Sequence, residues 1–226
     1  AMETSDEAPI HYTVRGQGSP VLLVAGLAGV GSSWGPQIDL FAARHQVIVP
    51  DHRGTGASEH TANGMTIAQH ARDMARVIEA VQCGPVHVVG SSTGGAIAQW
   101  LAIHHRQLLR SATILSSIAR ADAFYRRQFA MRRRMLADSG LRASTEANAL
   151  FLFDPRFMRE HPERVQAWVD AAASAAFDLE LSLARIDMIV GHDAFDDLPS
   201  ISTPTLVLVG EHDFCAPPHF SARLGE

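Results

Sequence analysis

A chain of 226 residues, 46% of them hydrophobic and 19% charged, can bury a sizeable core as one domain with an insertion, which excludes a disordered segment. The formal net charge of -5 leaves no electrostatic footprint for nucleic acid, and no apolar run reaches the length of a membrane span. Cys83 and Cys215 have neither metal-like spacing nor a disulfide framework, and the acidic start from Met2 to Glu7 is unlike a signal peptide, so a cytoplasmic protein is expected.

Ile10 to Val14 reads as a short strand that turns at Gly16-Gln17-Gly18 into Val21 to Ala25, an apolar run of the kind buried on both faces of a parallel sheet. A helix is expected from about Trp34 to Arg44, then the strand Gln46 to Pro50 and the turn Asp51 to Gly56. Ile67 to Val81 has helical periodicity, Val86 to Val89 is the next strand, a helix runs to about His105, and Ser111 to Leu115 is a further strand. Alternating strands and helices predict a mostly parallel sheet covered on both faces. From 120 to about 190 there is no strand pattern, and apolar groups such as Phe124, Phe129, Phe151, Trp168 and Phe177 recur at helical spacings. Strand character returns at Pro204 to Gly210. The chain is therefore read as a core (1–118), a helical lid (119–190) and a second core part (191–226), with the lid over the carboxyl ends of the strands, where open α/β sheets bind ligands.

Gly90-Ser91-Ser92-Thr93-Gly94 follows a β-branched strand and opens a helix of small apolar residues, the context in which G-x-S-x-G forms a nucleophile elbow. Ser92 is the candidate nucleophile. Ala25-Gly26-Leu27-Ala28-Gly29 also follows a strand, and the N–H groups of Leu27 and Thr93 are candidate oxyanion donors. A plain glycine loop is the alternative at Leu27. Gly210-Glu211-His212-Asp213 closes the last apolar strand and puts Asp213 at the sheet end where a carboxylate could orient a histidine; a turn aspartate before Pro217-Pro218 is the bland alternative. No histidine spacing matches a zinc site, and no metal or cofactor is expected.

These four segments, Gly26-Leu27, Asp51 to Ser58, Gly90 to Gly95 and Gly210 to Asp213, make the chain resemble the α/β-hydrolase superfamily over nearly all its length. Within it, Ala149 to Pro155 and the preceding Arg-rich helix are similar to aminoacrylate hydrolases of pyrimidine catabolism and to 3-oxoadipate enol-lactone hydrolases. The resemblance implies an acyl-enzyme hydrolase acting on a small ester, enol lactone or activated C–N bond. A non-catalytic small-molecule-binding member of the fold and a C–C bond hydrolase stay open as alternatives. Many relatives carry His-Gly where this chain has Ala25-Gly26. Relatives also carry the base histidine some twenty or more residues past the acid, after another strand. The resemblance thus places the base beyond Glu226, implies that a C-terminal strand and helix are missing, and exposes a sheet edge through which the chain could self-associate.

Of the histidines present, His192, followed by Asp193 at the return from the lid, is the one that could approach the cleft as base. Arg126 and Arg133 stand seven apart in a basic helix, so one of them could meet a substrate carboxylate; a solvated face with salt bridges is the competing reading. Trp34, Phe151 and Trp168 are candidates for the cleft wall, with ordinary core packing as the alternative.

Overall fold

The computed structural model describes residues 8–225; the acidic start and Glu226 lie outside them. The strands are β1 (Tyr12–Arg15), β2 (Ser19–Val24), β3 (His45–Pro50), β4 (Val86–Ser91), β5 (Leu109–Leu115) and β6 (Thr205–Leu208), in one sheet of order β1-β3-β2-β4-β5-β6. β1 runs antiparallel to β3; every other pairing is parallel. Side chains alternate across the pleat, and the packing follows. Leu22, Val24, Ile48, Val86 and Val88 face one large core, while Val21, Leu23, Val47 and Val49 face a second, smaller one.

The first core is closed by α2 (Ile67–Val81) and α3 (Thr93–His104). α2 starts where Thr66 accepts the Gln69 N–H with its side chain, and Ile67, Ala71, Met74 and Ile78 bury one stripe. Each of its large apolar side chains contributes roughly 1.5–3 kcal/mol on burial. The second core is covered by Trp34 and by α1 (Gln37–Ala42). The expected helix from Trp34 to Arg44 is shorter because Trp34 ends a separate 3-10 turn, and Gly35, at φ 50°, breaks the chain before Pro36.

Between β5 and β6 lies a helical insertion of α4 (Ala123–Leu152), α5 (Pro155–Glu160), α6 (Pro162–Ala173) and α7 (Leu179–Val190). α4 is interrupted at Gly140, whose φ is 81°. The insertion has its own small core of Ala149, Val165 and Val169 with Phe153, Phe157 and Trp168, whereas Ile186, Met188 and Ile189 of α7 join the large core beneath. After β6, α8 (Pro218–Leu224) buries Phe220 against Tyr125 of α4. β6 is an edge strand of the described sheet, with Leu206 and Leu208 exposed.

Candidate active site

Ser92 stands between the end of β4 and the first turn of α3 with φ 54° and ψ -114°, a conformation costly for any residue with a side chain. Its neighbours make the turn possible. A Cβ on Gly90 would collide with the Gly94 carbonyl, one on Gly94 with the Val24 and Ala25 carbonyls, and one on Gly95 with Ser117. The Ser92 N–H donates to the Leu115 carbonyl (2.8 Å), and the Ser117 hydroxyl donates to the Ser92 carbonyl (2.7 Å), so β5 braces the strained residue. Thr93, fully buried, is the first residue of α3, where backbone N–H groups have no partner inside the helix and the dipole favours negative charge.

Facing this turn is the loop after β2. A Cβ built on Gly26 would stand 3.6 Å from the Ser92 Cβ, which puts Gly26-Leu27 beside the nucleophile candidate. The Gly29 N–H donates to the Gly26 carbonyl (2.9 Å). In a trans peptide the C=O and the following N–H point in opposite directions, so the Leu27 N–H emerges on the outer side of the turn. Thr55 and the His52 N–H both donate to the Gly29 carbonyl, at 2.9 and 2.8 Å. The Asp51 turn behind is fixed by its own carboxylate, which accepts from the Gly31 and Ala57 N–H groups at 2.7 and 2.9 Å. Arg53 of that turn forms a buried two-pronged pair with Asp73 of α2, at 2.7 and 2.8 Å.

Asp213 lies past the carboxyl end of β6, on the same edge of the parallel strands as Ser92. One of its oxygens accepts the Ala216 N–H (2.8 Å), and among the described residues no histidine nitrogen is within hydrogen-bond distance of it. The histidines are occupied elsewhere. His192 is buried, its Nε2 3.4 Å from Gln99 Oε1, and burial lowers its pKa to about 4, while Asp193 pairs with Arg120. His52 and His70 lie edge to face in the core; burial first, then the Arg185 charge, pulls both down, His70 to about 3. His212, next to Asp213, turns instead to Asp154 of the insertion (2.7 Å).

The remaining candidates divide. The Phe151 ring stands 5.6 Å from the ring of Phe214, adjacent in sequence to Asp213, and so meets the loop that carries Asp213. Trp168 belongs to the insertion's own core and Trp34 packs on the second face of the sheet, the bland reading in both cases. Arg126 is exposed, and Arg133 is exposed and paired with Asp187 at 3.0 Å. The inward arginine of α4 is Arg132. It is buried, donates to Asn148 Oδ1 (2.7 Å) and to Cys215 Sγ (3.4 Å), lies over the Phe129 and Phe151 rings, and has no carboxylate within ion-pair distance among the described residues. Its helical phase gave a signal, because it falls three and seven residues after the buried Phe129 and Tyr125. A cavity of about 530 Å³ between the start of α2, α3 and α7 has neither Ser92 nor Asp213 in its walls.

A family model described as alpha/beta hydrolase fold matches residues 19–226. A relative from Azorhizobium caulinodans, named "Putative carbamate hydrolase RutD", is 39% identical over 221 residues, covering 97% of this chain and 83% of its own length. Among solved structures, a thermophilic esterase from Thermogutta terrifontis is 28% identical with a TM-score of 0.83 over 98% of this chain and 82% of its own. The enol-lactonase from Burkholderia xenovorans LB400, at 24% identity, shares the fold with a TM-score of 0.85, covering 96% of this chain and 84% of its own. The chain belongs to the α/β-hydrolase fold family.

Proposed function

We propose that the chain hydrolyses a small ester, enol lactone or carbamate-type C–N bond through an acyl-enzyme on Ser92. The observation that carries this reading is the strained, glycine-flanked Ser92 with Gly26-Leu27 beside it and the N-terminus of α3 beneath it. Ser92 Oγ attacks the carbonyl carbon, and the carbonyl electron pair moves to oxygen, where the Leu27 and Thr93 N–H groups receive it. Collapse expels the alcohol or amine with a proton from the base, and water then releases the acyl group. Asp213 orients a histidine that the described residues do not bring to it. The name of the Azorhizobium relative favours the carbamate-type bond, and the esterase likeness favours the ester.

Release of p-nitrophenol from p-nitrophenyl acetate and of amine from a short N-alkyl carbamate tests the reading. Ser92→Ala is expected to lower both by at least about a thousandfold with unchanged folding. Unchanged turnover in that variant would refute it. A second reading, a fold member that binds a small molecule without turnover, is favoured by the lack of a described histidine on Asp213; saturable binding with no product would establish it.

A further inference from the structure

Arg185 of α7 is only 4% exposed, yet its described hydrogen bonds all go to the loop beside Ser92 and to the Asp51 turn behind it. Its Nε donates to the Leu27 carbonyl (2.7 Å), its Nη2 to His52 Nδ1 (2.9 Å), and its Nη1 reaches the Arg53 carbonyl at 3.4 Å. The guanidinium also occupies the space that a Gly29 side chain would need, and Gly29 itself has φ +74°. Among the described residues no carboxylate lies within ion-pair distance, and burial alone lowers its pKa to about 10. A buried cation without a counter-charge is costly unless its donors are used, and here three acceptors take up three of its five N–H groups.

The consequence falls on Leu27. One of its flanking peptides is pinned by the Gly29 N–H on the Gly26 carbonyl, the other by Arg185 on its own carbonyl. With both planes fixed, the direction of the Leu27 N–H is fixed as well. We propose that Arg185 is a positioning residue of the oxyanion site, reaching from the helical insertion to hold Leu27 in place and lending that end of the cleft a positive charge. The inference rests on the reading of Ser92 and Leu27 given above. It also makes the oxyanion geometry depend on the seating of α7, 158 residues away along the chain.

The test compares Arg185→Lys, which keeps charge but loses the planar fork, and Arg185→Met, which loses both, with Arg142→Ala, which cuts surface pairs to Glu146 and Asp170 inside the insertion. The readouts are the second-order rate of Ser92 phosphonylation by a fluorophosphonate, whose phosphoryl oxygen takes the oxyanion position, and the kcat and KM for p-nitrophenyl acetate. Removing an oxyanion donor outright costs about 100- to 1,000-fold. Loss of its support is therefore expected to slow phosphonylation and kcat by roughly 10- to 100-fold, more for Met than for Lys, with KM within about threefold and Arg142→Ala within about twofold of wild type. Arg185→Lys alone carries the test if Arg185→Met does not fold. Arg185 variants that label as fast as wild type would overturn the positioning role and leave the hydrolase reading intact. Equal slowing in Arg142→Ala would overturn it in favour of general loosening of the insertion. A wild-type protein that is never labelled at Ser92 would overturn the hydrolase reading and the inference with it.

Discussion

Around Ser92 the chain is held by backbone contacts with no space left over: Gly90, Gly94 and Gly95 each abut a neighbouring segment where a methyl group has no room. The helical insertion above the same sheet end is fastened differently. Asp122, Asp154 and Asp178 cap the starts of α4, α5 and α7 with one carboxylate oxygen, and with the other each meets a histidine from the surrounding core segments, His219, His212 and His60, at 2.9, 2.7 and 3.1 Å. Close packing tolerates no substitution, whereas exposed ion pairs can be exchanged at small cost. The difference teaches that this fold keeps the Ser92 turn rigid and ties the starts of three cover helices with weak, separable pairs, while the cover's deep contacts are those of Tyr125, Phe129 and Leu136 of α4 and of Arg185, Ile186, Met188 and Ile189 of α7.

The largest effect should come from breaking the rigid side. Gly94→Ala forces a methyl group into the Val24 and Ala25 carbonyls, and a loss of more than about 3 kcal/mol in urea unfolding, or an insoluble product, is expected. Wild-type stability in this variant would contradict the steric account of the elbow.

Acid should strain the same side before it releases the cover. Burial lowers the folded pKa values of His52, His70 and His192 below the ordinary imidazole value of 6.5, so above about pH 6.5 neither folded nor unfolded state gains a proton. As pH falls below 6.5 the unfolded state takes up protons that the folded state refuses, and stability falls by up to about 1.4 kcal/mol per pH unit for each histidine. Urea unfolding at pH 7.5 and pH 5.5 should therefore differ by a few kcal/mol. His70→Phe should flatten the slope. An unchanged midpoint would mean that these histidines are not buried as neutral groups.

On the cover, Arg132 and Arg133 sharpen the comparison within one helix. Arg132→Gln is expected to raise KM for carboxylate-bearing substrates by about tenfold and leave neutral esters nearly untouched, while Arg133→Gln, which only cuts the exposed pair to Asp187, changes neither. Equal effects from the two variants would contradict the expectation that the inward arginine of α4, rather than an exposed one, meets a substrate carboxylate. The smallest effect is expected from His212→Gln, which cuts the link to Asp154: a few-fold faster proteolysis inside the insertion, read by limited digestion, with an unfolding midpoint close to wild type.

The same contrast explains what could be read from the sequence. The elbow was legible because its requirements are local: a β-branched strand, small residues at Gly90, Gly94 and Gly95, and a helix directly after Ser92. The bounds of α2 were legible because Thr66 and its apolar stripe announce them. Trp34 lost its place on the cleft wall because Gly35-Pro36 breaks the expected helix and the ring folds onto the sheet. Arg126 and Arg133 share a face as their spacing requires, but spacing does not say which face meets the core; the buried Tyr125 and Phe129 do, and they select Arg132. The contact of Arg185 with Leu27 had no local signature beyond a charge within the apolar run of α7, because its meaning lies in a loop 158 residues earlier.

Peptide mapping after reaction with a fluorophosphonate tests the central claim most directly. The account predicts a single adduct, on the peptide containing Ser92, lost in Ser92→Ala and absent from the neighbouring Ser91 and from Ser117, whose hydroxyl donates to the Ser92 carbonyl. An adduct on another serine, or none on a folded protein, would contradict it.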